Sequence, residues 1–321
     1  MFKVLRYNSK NQSEWDSFVP KKNNGTLFHL RSFLSYHPEE KFIDHSLLFF
    51  KKSSLFAVFP AAENKNKNNL GLISHPGSTL GSFILPEDLS IADAIGLVEC
   101  LLIYCKREKF NNIRITIPPT MYQHRLSNYI DFAFMKNNFF YSKRDVTSIL
   151  YLEKSIDETL EKFRPSHKRA VKKALGKGLV CKESVDIDSF YKILEKNLKI
   201  RHNTTPTHTS KELKQLFKMF PDKIKLFAAF DNGRMIAGVV NFIVNKHVVL
   251  AFYISHDEDF IEMRPLNLLF YTIFKWAIDI KIKIYDFGIF TVDGNPNMGL
   301  GRFKENFGAS GIFRDTIEIN L

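Results

Sequence analysis

Two short stretches near the end of the chain carry residue types that do chemistry together. DFGIF (286–290) holds the carboxylate of Asp286, and GLGRFKENFG (299–308) holds Lys304 beside Phe303, with Phe307 three residues on. Transfer of an acyl group to an amine needs the amine unprotonated, and it needs a cation or hydrogen-bond donors where the tetrahedral oxyanion develops. One base or water path and one cation suffice. An acid at the C-terminal end of a sheet strand is placed for ligand contact, and a lysine projecting into the same crevice supplies the charge. In this catalytic reading the lysine is exposed and its loss lowers turnover while the fold stays stable. The opposing reading is an acid that only caps a helix and a solvated helical lysine. Phe303 and Phe307 are candidate core anchors.

The elements that must position these residues are readable around them. KIKLFAAFDNGRMIAGVVNFIVNKHVVLAFYIS (223–255) predicts a meander of strands turned at Asp231-Asn232-Gly233 and at Asn245-Lys246. RPLNLLFYTIFKWAIDI (264–280) puts Leu266, Leu269, Phe270, Ile273, Phe274 and Ala277 on one helical face, and KIYDFGIF (283–290) follows as a strand. In the first half, hairpin strands over 47–60, a loop at SHPGSTLGS (74–82), a Ser-capped helix over 90–108 and the strand NIRITI (112–117) repeat that order. ENKNKNN (63–69) is expected to be a solvated turn. The fold class is therefore α/β or α+β: two domains, 1–155 and 156–321, each a mixed, mostly antiparallel sheet flanked by helices.

The chain has 321 residues, 45% of them hydrophobic, enough for well-packed cores. It shows no apolar run long enough to span a bilayer and no signal-peptide centre, so a cytoplasmic location is expected. Cys100, Cys105 and Cys181 form no CxxC pair and no even set, so neither a zinc site nor a disulfide scaffold is expected. A net charge of +12 points to polyanionic partners: nucleic acid, nucleotide phosphates or an anionic membrane surface.

The charge concentrates where the two copies join. Seven lysines and arginines run from Lys162 to Lys177 with no acid among them. Pro165 opens a helix there, with Arg164, Lys168, Arg169, Lys172 and Lys173 repelling one another until an anion neutralises them. The alternative is a solvated basic helix. Softer candidates are Arg201 and His202 in a polar stretch that also holds Thr205 and His208, Tyr253 on the meander, Arg264 at a helix start, and His29, Arg31 and Tyr36 in the first copy.

HKRAVKKALGKGL, FYKILEKNLKIRHNTTP, AAFDNGRMIAGVVNF, FYIS, RPLNLLFYTIFKWA, YDFG and GLGRFKENFG occur in the order found in the FemABX-like branch of the GNAT acyltransferase superfamily, which this chain resembles over most of 163–308. LFHLRSFLSYHP (27–38) resembles the opening of such proteins. The resemblance implies two tandem GNAT-type domains and transfer of an acyl or aminoacyl group to an amine, as in BioF2-like proteins and the enzymes that build peptidoglycan bridges. It implies that Lys304 and Asp286 act in catalysis; the candidate substrate-binding residues are Arg164, Lys168, Arg169, Lys172, Arg201, His202, Tyr253, Arg264, Phe303, His29, Arg31 and Tyr36. One departure stands out. The loop SHDEDFIEMRP (255–265) lacks the glycines with which acetyl-CoA-dependent GNAT domains bind pyrophosphate, and it is acidic; GSTLGS (77–82) is the alternative loop.

The expectation is an N-acyltransferase with no bound cofactor and no metal, using acyl-CoA or aminoacyl-tRNA as co-substrate. Its acceptor is an amino group on an anionic nucleotide- or lipid-linked cell-envelope precursor or amino sugar, with tRNA or a peripheral membrane surface as partner. The alternative is a non-catalytic protein of the same fold that holds RNA or anionic lipid through its basic helix.

Overall fold

The computed structural model describes residues 2–66, 69–202 and 204–321, with the backbone only of Glu39, Arg201 and His202. The chain divides into two compact units, one running to Asp145 and taking back Phe313–Leu321, the other comprising Val146–Ile312. The last strand returns to the first unit because Thr316–Asn320 pairs antiparallel with Asn112–Thr116, seating Ile317 opposite Ile115 in that unit's core.

Each unit contains the same motif: an antiparallel hairpin, a crossover helix, and a strand that comes back parallel. In the second unit, Arg234–Ile243 pairs with Val248–His256, helix Pro265–Asp279 crosses, and Ile284–Ile289 returns parallel with Val248 opposite Ile284 and Leu250 opposite Asp286. In the first, Ala61–Asn66 pairs with Asn69–Ser74, helix Ile91–Arg107 crosses, and Asn112–Thr116 returns parallel with Gly71 opposite Asn112. The duplication expected from the sequence is present, but its first hairpin is not the expected one. The strands at Leu47–Lys51 and Ser54–Phe59 join Phe2–Arg6 in a separate three-stranded sheet. The Asn/Lys-rich stretch expected to be a turn supplies strand residues instead, because Ala61 and Ala62 are buried at the root of the hairpin while its polar residues run out into solvent.

Both crossover helices are held by apolar faces. Leu97, Val98 and Leu101 enter the first core with Phe59, Phe83 and Phe134. Leu269, Phe270, Ile273, Phe274 and Ala277 enter the second with Tyr285, Phe287 and Phe307. The basic helix Pro165–Gly176 lays Val171 and Ala174 into that second core, which turns its lysines outward. Among the described residues no helix is long and apolar enough to cross a membrane.

Candidate functional site

Asp286 and Lys304 do come together, on a single β-bulge. The strand Ile284–Ile289 pairs with Phe140–Tyr151 in register up to Asp286 opposite Ile149, then slips, so that Ile289 faces Thr147. The slip is made at Gly288, whose φ of +76° suits glycine and few other residues. Asp286 is fully buried; its Oδ1 accepts from Thr147 Oγ1 at 2.5 Å and from the Gly288 N–H at 2.8 Å. Lys304 is 1% exposed, and its Nζ donates to the carbonyls of Gly288 at 2.7 Å and Ile289 at 2.8 Å. The expectation of an exposed lysine whose removal spares the fold is therefore corrected: the ammonium is an internal clamp, drawn in because the bulge leaves two carbonyls off the ladder. Parallel pairing with Val248–His256 runs from Val248 opposite Ile284 to Leu250 opposite Asp286 and goes no further. The clamped corner is thus where those two strands part.

Phe303 and Phe307 hold the helix Met298–Glu305 and its end against the core. Phe307 is fully buried against Phe163, Phe270 and Phe287, and Phe303 is half-buried beside Phe270. His167, in the first turn of the basic helix, stands edge-on to Phe307 at 4.8 Å. Its Nε2 is buried without a hydrogen-bond partner. Burial, then the nearby guanidiniums of Arg264 and Arg164, push its pKa down to about 4. Arg164 immediately precedes the basic helix, and Arg264 immediately precedes helix Pro265–Asp279. Arg264 sits in the left-handed region at φ 57°, a strained place for a side chain, and it gives that helix no side-chain cap. No acid lies in the first turn. Asn267, on that turn, is 6% exposed and its Nδ2 has no partner. With no side-chain cap, a guanidinium at its start and an unpartnered amide in its first turn, this helix end is chemically suited to an anion.

The acidic loop ahead of this helix is largely neutralised. Asp257 bonds Lys196 at 3.0 Å and Arg234 at 2.8 Å, and Asp259 meets Lys196 at 3.2 Å. The basic helix is partly neutralised too, by acids distant in sequence or just ahead of it: Lys168 meets Glu161 at 2.7 Å, Lys173 meets Glu262 at 3.9 Å and Arg164 meets Glu305 at 3.7 Å. Arg169 and Lys172 stay exposed on the outer face.

The remaining candidates are placed elsewhere. Tyr253 is buried, its hydroxyl accepting from the His208 N–H at 3.1 Å and sharing a proton with Nδ1 at 2.9 Å, which pins the polar stretch around His208. The side chains of Arg201 and His202 lie outside the described residues. In the first unit, His29 is buried against Thr26 at 3.0 Å. Arg31 bonds Asp44 at 2.6 Å and Ser46 at 2.9 Å over the Tyr7 ring, and Tyr36 packs on Phe33. GSTLGS does not lead into a helix N-terminus: residues 80–85 are buried, and Ser90 caps the helix instead. Among the described residues there is no group of His, Cys, Asp and Glu fit to hold a metal. Sequence reasoning missed Asn267 and His167. The available signal was the run Arg264-Pro265-Leu266-Asn267, a helix start with neither cap nor acid.

Two units built on one hairpin, helix and parallel-strand motif have the tandem GNAT-type fold. The FemABX-like resemblance holds in the fold. Residues 161–305 match the acetyltransferase (GNAT) domain family, and the chain carries that domain. The structure is similar to FemX, with a TM-score of 0.75 at 14% identity over 99% of this chain and 97% of that one. It is similar to the C-terminal domain of a protein named as a putative lysylphosphatidylglycerol synthetase from Agrobacterium fabrum, with a TM-score of 0.62 at 11% identity over 98% and 93%. A tandem GNAT protein from the clavulanic acid biosynthesis pathway aligns with a TM-score of 0.57 at 7% identity over 100% and 98%. No curated protein matches the sequence.

Proposed function

We propose that this protein is an N-acyltransferase that moves an acyl or aminoacyl group from acyl-CoA or aminoacyl-tRNA to an amino group of a phosphate-bearing cell-envelope precursor. The observation that carries this reading is the uncapped N-terminus of helix Pro265–Asp279, with Arg264 and the unpartnered Asn267 amide at it. A phosphate placed there accepts from the amide, neutralises the Arg264 guanidinium and fixes one substrate beside the clamped corner. The GNAT domain and the neighbours named for FemX and for lysylphosphatidylglycerol synthesis support transfer to an envelope acceptor.

In this reading the acceptor amine, once deprotonated, attacks the thioester or ester carbonyl. The oxyanion forms near the positive charge of Lys304 and collapses with release of thiol or ribose hydroxyl. Asp286 contributes by fixing the Gly288 corner that Lys304 holds from the other side. The glycine-free loop favours a donor whose phosphates are gripped by side chains and the helix end rather than by a glycine cradle. The test is a panel of acyl-CoAs and charged tRNAs, each offered to amino sugars, nucleotide-linked and lipid-linked amines, with product read by mass spectrometry. Transfer from one donor class supports the proposal. A protein that binds pyrophosphate or RNA tightly yet transfers nothing across the panel is the non-catalytic alternative.

A further inference from the structure

We infer that the hairpin Thr291–Pro296 and the start of the next helix form a shallow membrane anchor, so that the acceptor amine is presented from an anionic bilayer. Residues 292–299 are all exposed. Asp293 and Gly294 take positive φ values of 50° and 78°, a tight hairpin turn that thrusts Val292 out. Val292 is 61% exposed and Met298 74%, two aliphatic side chains on this exposed segment, with Ile289, 40% exposed, on the strand just before it. That segment is wired to the clamped corner, since the Phe290 N–H donates to the Val146 carbonyl at 3.0 Å and the Asn297 N–H to the Phe290 carbonyl at 2.7 Å.

Charge behind the tip selects the occupant. Arg302 lies exposed one turn after Met298 on the same face, and Arg164 meets Glu305 about a turn further on. At the helical rise Arg302 trails Met298 by about 6 Å. That depth matches an apolar face seated at the headgroup boundary with arginines at the lipid phosphates. Asp293 in the turn keeps the insertion shallow. An RNA partner would call for aromatic stacking platforms rather than an aliphatic tip.

The choice of an amine-bearing lipid rests on the acyl-transfer reading, but the membrane contact is measured without any transfer, so the two fail separately. The experiment is sedimentation with phosphatidylcholine vesicles, with and without phosphatidylglycerol. The protein is expected to bind the anionic vesicles, and Val292→Asp with Met298→Asp is expected to weaken that binding at least about tenfold, the scale of losing two buried aliphatic contacts. These exposed positions leave the thermal midpoint unchanged. Met298→Trp is expected to show a blue-shifted indole emission with anionic vesicles only. Equal binding by wild type and double variant, an emission of the Met298→Trp variant that vesicles leave unshifted, or binding abolished by Arg169→Glu and Arg302→Glu yet indifferent to the aliphatic pair would each overturn the anchor. RNA binding with no vesicle binding would do the same.

Discussion

The two crossover helices have the same place in their units and opposite treatment of their N-terminal ends. Helix Ile91–Arg107 is sealed: Ser90 accepts from the Asp93 N–H at 3.1 Å, and Asp93 itself bonds Lys51 at 2.5 Å. Helix Pro265–Asp279 is left open, with no cap, no acid in its first turn, a strained Arg264 and an unpartnered Asn267. The returning strands differ as well. Asn112–Thr116 runs in straight register against its neighbours, whereas Ile284–Ile289 breaks at a bulge held by Asp286 and Lys304. In the first copy the helix start is closed by its own residues, Ser90 and Asp93. The other keeps a positive helix end and a broken strand side by side, which is where ligand chemistry belongs.

The largest effects should come from the corner that only the second unit has. Phe307→Ala removes a fully buried ring and is expected to cost about 3–5 kcal/mol of stability. Lys304→Met removes two charge-assisted hydrogen bonds from a buried site and is expected to cost about 3 kcal/mol, together with the transfer activity. Denaturant melts check both. A Lys304→Met protein as stable as wild type would mean the bulge holds itself and would blur the contrast between the units.

Acid comes next. Burial pushes His29 down to about 4, and His75 falls in the same direction, with burial again the leading cause. Between about pH 6.5 and about pH 4 the unfolded chain takes up protons that these folded residues refuse. Stability is therefore full above pH 6.5 and falls as pH is lowered through that window, by about 3 kcal/mol for His29 alone. His167 in the second unit shares the sign, but its depression owes part to Arg264 and Arg164, so a bound anion should relieve it. Titration by NMR with and without pyrophosphate is expected to raise the pKa of His167 and leave His29 where it is. Movement of both, or of neither, would remove the open helix end as an anion site.

Much of this architecture is legible in the sequence, because the apolar spacing of 264–280 and the turn at Asp231-Asn232-Gly233 are local signals that local structure obeys. The first hairpin is misread because Asn and Lys on the outer residues of an exposed edge look the same as a turn. The meeting of Asp286 with Lys304 is legible through family resemblance, but the burial of Lys304 is not. Its partners are main-chain carbonyls fifteen and sixteen residues upstream, exposed by a bulge that no side-chain pattern announces. Asn267 is hidden for a related reason: an amide in an apolar helix reads as a surface residue until its neighbours are known.

The open end can also be closed. Asn267→Asp places a carboxylate in the first turn of helix Pro265–Asp279, where Asp93 stands in the other helix. The substitution is nearly isosteric, and it fills the helix end with a fixed negative charge. Pyrophosphate affinity, read by calorimetry, is expected to fall at least about tenfold, or about 1.4 kcal/mol, with the fold intact. Unchanged affinity would move the anion elsewhere, to Arg169 and Lys172 first.

The smallest effect lies at the sealed end. Asp93→Asn keeps the shape, and its side-chain oxygen can still meet the Ser90 hydroxyl, but it removes the charge that faces both the helix N-terminus and Lys51. The carboxylate and the lysine are each partly exposed, so solvent screens the pair and little of its Coulomb energy reaches stability. A first-turn carboxylate at such a surface is worth about 0.3–1 kcal/mol, and the loss should shrink further as salt is added. If the sealed end is structural only, Asp93→Asn lowers the midpoint slightly and leaves pyrophosphate affinity and transfer rates untouched. A gain of anion affinity in Asp93→Asn, comparable to the loss in Asn267→Asp, would show that the acid alone closes the first helix end, and that the two copies differ by one side chain rather than by their surroundings.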